Sequence, residues 1–299
     1  MKKLVILGAG TSGTMMANHL SKKLKRNNWD ITIVDQYKTH YYQPGFLFLP
    51  FDIYTEEQVK KNGIKFIPKS VNYIQAEIQK IKAHKNEIQL SNQKLKYDIL
   101  IIATGSKIAP DEVEGMASEN WHKNIFDFYT FEGALALRNK LRNWQGGKLL
   151  VHITEMPIKC PVAPLEFAFL ADTYFKEKGM RDRVEITYVT PLSGAFTKDF
   201  CSKKLGYLLE EKDIKLVTDF AIEKVDFKNN KIIDYGDQEV GYDLLVTVPT
   251  NMGDSVIERS DLGDDLNFVP THHHTLQSLE NENIFVIGDA TNVPASKAG

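Results

Sequence analysis

Short apolar runs recur along the chain, several of them closed by glycine, aspartate or proline. Leu4-Val5-Ile6-Leu7, opened by Lys3, is the first, and its unbroken apolar character fits a strand buried on both faces. A helical spacing follows, with Met16, Leu20 and Leu24 on one side. Asp30 to Val34 predicts a second strand. Ile64 to Ile67 and Val71 to Ile74 predict two more. Turns around Lys85-Asn86 and Asn92-Gln93 mark a hairpin-like pair, and Tyr97 to Gly105 reads as a buried strand with a glycine end. Residues 108 to 146 read as a connector with an apolar helix near Phe131 to Leu141.

The pattern then returns. Lys148 to Phe175 matches Lys3 to Leu24, and Val184 to Val189 matches the second strand. Ile214 to Val217 matches Ile64 to Ile67, residues 228 to 231 match the first hairpin turn, and Tyr242 to Val248 matches Tyr97 to Ala103. Five features recur in one order, offset by about 145 residues, which predicts two copies of one supersecondary unit. Alternating strands and helices give an α/β class: two Rossmann-like units, each a parallel sheet with helices on both faces. The expected division is a discontinuous first unit (1–107 and 280–299), a connector (108–147) and a second unit (148–279). The run Asn283 to Ile287, ending in Gly288-Asp289, brings the chain back to the first unit.

The glycines carry the chemistry of the first unit. Gly8-Ala9-Gly10-Thr11-Ser12-Gly13 is a GxGxxG turn between a strand and a helix. Gly8 permits the tight turn, Gly10 a close pyrophosphate, and Gly13 close helix packing, with phosphate on the helix N-terminus. Asp35, at a strand end, is spaced to accept from a ribose hydroxyl. Gly105 allows backbone to approach a cofactor, and Asp289 suits a ribityl hydroxyl. The aromatic loop from His40 to Phe51 either walls a flat ring system or packs on its own domain.

The second unit departs at the same places. GAGTSG becomes TEMPIKCPVAP, and Ala103-Thr104-Gly105 becomes Val248-Pro249-Thr250. A loop with three prolines and no glycine offers no pyrophosphate seat. It offers Cys160 instead, just before a helix that Pro164 opens, with Lys159 adjacent. Helix amides and a lysine favour a thiolate there. The alternative is a buried structural cysteine. Cys201 reads as structural. Glu166, in the first turn of that helix, is a candidate proton carrier or simply a complement to the helix dipole. His272-His273-His274 on an extended segment would point to alternating faces, so no metal site is expected.

Composition narrows the classes. In 299 residues, 42% are hydrophobic and 25% charged, ordinary for a globular protein, and a net charge of −2 carries no nucleic-acid signature. Two cysteines rule out a disulfide framework and a four-cysteine metal site. No apolar run approaches the roughly 20 residues of a membrane span. A first strand opening at Lys3 leaves no room for a signal peptide, so the chain reads as cytoplasmic.

GAGTSG, YYQPG, ATG and GDATNVPASKAG together resemble the two-dinucleotide flavoprotein reductases. IKCPVAPLEFAFLADTYF is similar to the active-cysteine segment of the sulfide:quinone oxidoreductases and of the flavocytochrome c sulfide dehydrogenase flavoprotein. The resemblance implies FAD on the first unit. It implies cofactor contacts at Gly8, Gly10, Thr11, Ser12, Gly13, Asp35 and Gln36, then at Gln43, Pro44 and Val71. Further contacts would come from Ala103, Thr104, Gly105, Gly288, Asp289 and Lys297. It gives Cys160 the role of one redox-active cysteine beside the flavin, with sulfide as substrate and quinone as acceptor. The partner cysteine and a membrane-associating quinone region would lie beyond Gly299, on the inner face of the membrane, and a homo-oligomer fits. The residues also leave open transfer to a cytochrome, uptake from NADH, and a flavin-binding sensor without turnover.

Overall fold

The computed structural model describes residues 1–294. Ten strands make up two parallel sheets: β1 (Lys2–Leu7), β2 (Trp29–Asp35), β3 (Asn72–Gln75), β4 (Ile99–Ile102), β5 (Ile125–Phe126), β6 (Gly147–Ile153), β7 (Val184–Val189), β8 (Ile214–Val217), β9 (Leu244–Val248) and β10 (Ile284–Val286). The longer helices are α1 (Thr11–Lys23), α2 (Phe131–Asn143), α3 (Ala163–Glu177) and α4 (Asp199–Glu211). The first sheet runs β10-β4-β1-β2-β3 and the second β5-β9-β6-β7-β8, every pair parallel. β6 thus repeats β1, β7 repeats β2, and β9 repeats β4.

In the first unit, alternate strand residues go to opposite faces. Leu4, Ile6, Ile31, Ile33 and Ile101 pack toward α1, where Met16, Leu20 and Leu24 lie against them. Val5, Leu7, Val34, Leu100 and Ile102 pack the other way, on Ile81, Ile88 and Leu90 of a three-stranded antiparallel sheet (Ile78–Lys82, Glu87–Leu90, Lys94–Lys96). The second unit has the same companion sheet (Ile222–Asp226, Lys231–Asp234, Glu239–Gly241), whose Ile222, Val225 and Ile232 bury Leu150, Val189 and Leu245. The first hairpin turn of each companion sheet falls at a left-handed asparagine, Asn86 (φ +47°) and Asn230 (φ +53°).

By its contacts the chain divides into a first unit, Met1–Tyr42, Lys60–Lys107 and the stretch from Asn251, and a second, Gln43–Val59 with Ile108–Thr250. Three expectations change. Residues 108–146 are no mere connector, because β5 pairs with β9 and joins the second sheet. Residues 251–279 belong with the first unit: Val256, Ile257, Leu262 and Val269 complete the core around Val5 and Leu7. Residues 43–59 belong with the second, where Phe46 meets Phe131, and Phe51 meets Phe167 and Tyr174.

Ile64 to Ile67 is not a strand. Gly63–Phe66 is a 3₁₀ turn, begun by Asn62, whose side chain accepts the Ile64 N–H at 3.1 Å. Local capping wins over an apolar alternation of only four residues. The true counterpart of β8 is β3. His272 to His274 form a turn rather than an extended segment, with His272 Nδ1 accepting the N–H groups of His274 and Thr275 at 3.3 and 3.2 Å. Among the described residues no helix is long and apolar enough to cross a membrane.

Candidate active site

The glycine turn has the geometry its spacing predicts. Gly8 is left-handed (φ +97°), and a Cβ there would collide with the Ala103 carbonyl; one on Gly13 would collide with the Gly8 carbonyl. Gly10 differs from both. Its φ is −68°, and a Cβ would meet nothing within 4 Å. The glycine at 10 is therefore not required by the fold, and the backbone there is bare on its open side. Thr11 and Ser12 begin α1 next to it. Gly288 (φ +67°) comes so close that a Cβ would sit 2.8 Å from Ser12 Oγ, which brings Gly288 and Asp289 beside the turn.

Asp35 ends β2 with its carboxylate turned to this loop, accepting from Ala9 N–H at 2.7 Å and Tyr37 N–H at 2.8 Å. Gly8, Asp35, Gln36 and Thr104 line a cleft of about 190 Å³ together with Glu77, Ile78, Asp254, Ser255 and Arg259. Thr104 Oγ1 is buried there without a hydrogen-bond partner. Open backbone at Gly10, a helix N-terminus and an orphaned hydroxyl fit a dinucleotide. Sequence reasoning missed Glu77, Ile78 and the segment 254–259. They follow no glycine motif and reach the cleft only because the short helix Ser255–Arg259 folds back, where Arg259 donates to the carbonyls of Ile78 and Gln79. Val71 is buried in the core beside Ala103, and Gly105 (φ +74°) has open space around it. Gln43 and Pro44 belong with the second unit, and Lys297 lies outside the described residues.

In the second unit, strand pairing aligns Leu7 with His152 and Val34 with Val189. Ile153 then stands where the first unit has Gly8, and a buried Thr190 where it has Asp35. The backbone confirms the match: Asp35 O accepts Ala76 N–H and Thr190 O accepts Phe220 N–H. Neither the tight glycine nor the carboxylate of a nucleotide cradle survives.

Cys160 occupies the β6–α3 loop in the left-handed region (φ +49°), half-buried. Its carbonyl accepts from Tyr129 Oη at 3.1 Å and Ala163 N–H at 3.0 Å, and its sulfur lies against the N–H groups of Ala163 and Val162. Lys159 Nζ is held by Gln43 Oε1 at 2.8 Å and sits 5.9 Å from the Tyr129 ring. Glu166 is exposed on the first turn of α3. The thiol pKa is raised, against expectation. Burial pushes it up and the Glu166 carboxylate adds to that; the amides of Ala163 and Val162 and the Lys159 charge oppose both without prevailing. Cys201 lies half-buried in the first turn of α4.

The family profile described as pyridine nucleotide-disulphide oxidoreductase matches residues 2–153. The chain belongs to that family. Oxidoreductase chemistry with a bound flavin is the family's common ground. Within it, the mitochondrial sulfide:quinone oxidoreductase of Dictyostelium discoideum is 29% identical over 99% of this chain and 66% of its own length. That of Mus musculus is 25% identical over 99% of this chain and 67% of its own. The chain thus spans about two thirds of the length of these relatives. The solved sulfide:quinone oxidoreductase of Aquifex aeolicus shares the fold, with a TM-score of 0.84 at 22% identity, covering 100% of this chain and 72% of that one.

Proposed function

We propose that the chain is the two-unit part of a sulfide:quinone oxidoreductase, with FAD on the first unit and Cys160 as the working thiol. The observation that carries this is the β6–α3 loop. The family's nucleotide turn is replaced there by a cysteine whose sulfur faces two helix-opening amides. FAD, when bound, supplies a two-electron acceptor that can pass its electrons on to a quinone. Overall, sulfide loses two electrons to give zero-valent sulfur, and the quinone gains two electrons and two protons.

The residues have distinct tasks. Gly10 leaves room for the pyrophosphate and the α1 N-terminus neutralises part of its charge. Asp35, Gln36 and Thr104 take the sugar end, and Asp289 the ribityl chain. Cys160 holds the zero-valent sulfur left by that two-electron oxidation as a persulfide, whose charge the Val162 and Ala163 N–H groups stabilise. Glu166, exposed beside it, takes the proton released from sulfide. Quinone, the membrane surface and any oligomer contact belong to the full-length protein.

The test is anaerobic rapid mixing of sulfide with the flavin-loaded, full-length protein. Wild type bleaches the flavin. Cys160→Ser keeps the flavin but slows bleaching by about a hundredfold or more, because serine neither ionises nor stores sulfur. Cys201→Ser behaves as wild type. Equal rates in wild type and Cys160→Ser would exclude the thiol route.

A further inference from the structure

A cysteine in the left-handed region is unusual, since a Cβ crowds the carbonyl there. Something must hold Cys160 in it. The Cys160 carbonyl is gripped from two sides, by Ala163 N–H at the start of α3 and by Tyr129 Oη from the loop between β5 and α2. Tyr129 is 8% exposed, and burial raises its own pKa well above that of free tyrosine, so the phenol stays a donor. Three other buried tyrosine hydroxyls, those of Tyr97, Tyr174 and Tyr242, have no partner among the described residues. The bond from Tyr129 is therefore not a demand that every buried phenol meets.

Tyr129 is itself fixed from below. The fully buried Asp127 carboxylate accepts from Tyr129 N–H at 2.9 Å and Thr130 N–H at 2.7 Å, and from the Thr130 hydroxyl. His122 Nε2 holds its other oxygen at 3.1 Å. Gly133 is the residue that lets α2 pass this close, since a Cβ there would strike Asp127. The turn is a rigid mount with the phenol at its tip.

We infer that Tyr129 is a positioning residue for Cys160: its hydroxyl clamps the Cys160 carbonyl, keeping the residue left-handed and its sulfur against the N–H groups of Val162 and Ala163. This rests on the reading of Cys160 as the working thiol, and its test uses a readout that does not depend on sulfide. Without the clamp, Cys160 relaxes toward an ordinary backbone conformation and its sulfur swings off the amides. Burial and Glu166, which disfavour the thiolate, then act with only Lys159 against them.

Tyr129→Phe removes only the hydroxyl. The ring still packs on Phe128, and the carbonyl keeps its Ala163 partner. In the full-length, flavin-loaded, thiol-reduced protein carrying Cys201→Ser, alkylation of the Cys160 peptide by iodoacetamide is followed against pH by mass spectrometry. The midpoint for Tyr129→Phe is expected to rise by about half a unit or more, which at neutral pH is about a threefold loss of rate. A role confined to packing would lower the melting temperature and leave the midpoint in place, and that result overturns the inference. Should the variant not fold, 3-fluorotyrosine at position 129 keeps the ring and makes a stronger donor. A midpoint below wild type then supports the clamp, and an unchanged one refutes it.

Discussion

The Asp243 carboxylate accepts the backbone N–H of Lys148 at 2.8 Å, and one repeat earlier the Asp98 carboxylate does the same for Lys3 at 2.6 Å. Each pair is 95 residues apart, so the two units share a register down to a single hydrogen bond. Differences between them are therefore differences of chemistry rather than of alignment.

Ile153 in place of Gly8 and Thr190 in place of Asp35 remove the pyrophosphate turn and the ribose carboxylate from the second unit. NADH is expected to reduce the flavin at least about a hundredfold more slowly than sulfide does, a gap that loss of bound-state positioning readily supplies. Stopped-flow reduction by each donor under anaerobic conditions measures it. Comparable rates would place the chain among NADH-using enzymes.

Gly10 and Gly13 separate cofactor binding from folding. Gly10→Val meets no protein atom near its Cβ, so the apo-protein should melt within a few degrees of wild type while the purified protein comes out colourless. Gly13→Ala drives a methyl into the Gly8 carbonyl and should lose stability as well, by about 1–3 kcal/mol. Flavin absorbance per chain and a melting curve of each variant check both claims. A yellow Gly10→Val would remove the pyrophosphate from this turn.

The raised pKa of the Cys160 thiol sets a sign. Little thiolate is present at neutral pH, and the alkylation rate should climb as the pH rises above it. Burial is the main cause and Glu166 the second, so Glu166→Gln should lower the midpoint and speed alkylation at neutral pH. Glu166 is exposed, and solvent screening keeps the effect to about twofold. A slower Glu166→Gln would mean that the carboxylate acts on this thiol as a base and not as a repelling charge.

Asp172 is fully buried on α3 among three cations: Lys176 at 2.8 Å, Arg181 at 2.8 Å and Lys212 at 3.2 Å. Burial alone would raise its pKa, and the three partners more than offset that and lower it. A lowered folded pKa means stability that is complete above the usual carboxylate range. It is lost as the pH falls through that range to the folded value. Asp172→Asn should cost about 3 kcal/mol at pH 7, because Arg181 stays buried without its counter-charge. The gap from wild type should narrow in acid. Melting temperatures of the two proteins across pH 3–8 test the trend.

Much of this was legible in the chain. Val184 to Val189 is bounded to the residue, because its β-branched and aromatic positions stand between the polar Arg183 and Thr190. The GxGxxG turn announced itself for the same reason that Gly13 cannot be replaced. What failed was set at a distance. Residues 251–279 pack with the first unit through Val256, Ile257 and Val269, whose partners there include Leu7 and Leu100, some 150 or more positions away, and no local pattern encodes that choice. The Cys160 thiol departs from expectation because helix amides and Lys159 can be read from sequence, whereas the burial that outweighs them cannot. Ile64 to Ile67 was too short a run to compete with the cap at Asn62.

The first sheet is finished by its last strand, β10, which pairs with β4 through Ile284 and Leu100. During synthesis, residues 1–107 emerge long before their partners, leaving the open edge of β4 and the apolar side chains of Leu7 and Ile102 waiting. Residues 108–250 need only the earlier segment 43–59 and can complete the second unit meanwhile. The nascent chain thus carries a closed later unit and an unclosed earlier one, the reverse of vectorial order. The first sheet closes only after Ile284–Val286 has emerged, and until then β4 carries an open strand edge of the kind that chaperones shelter.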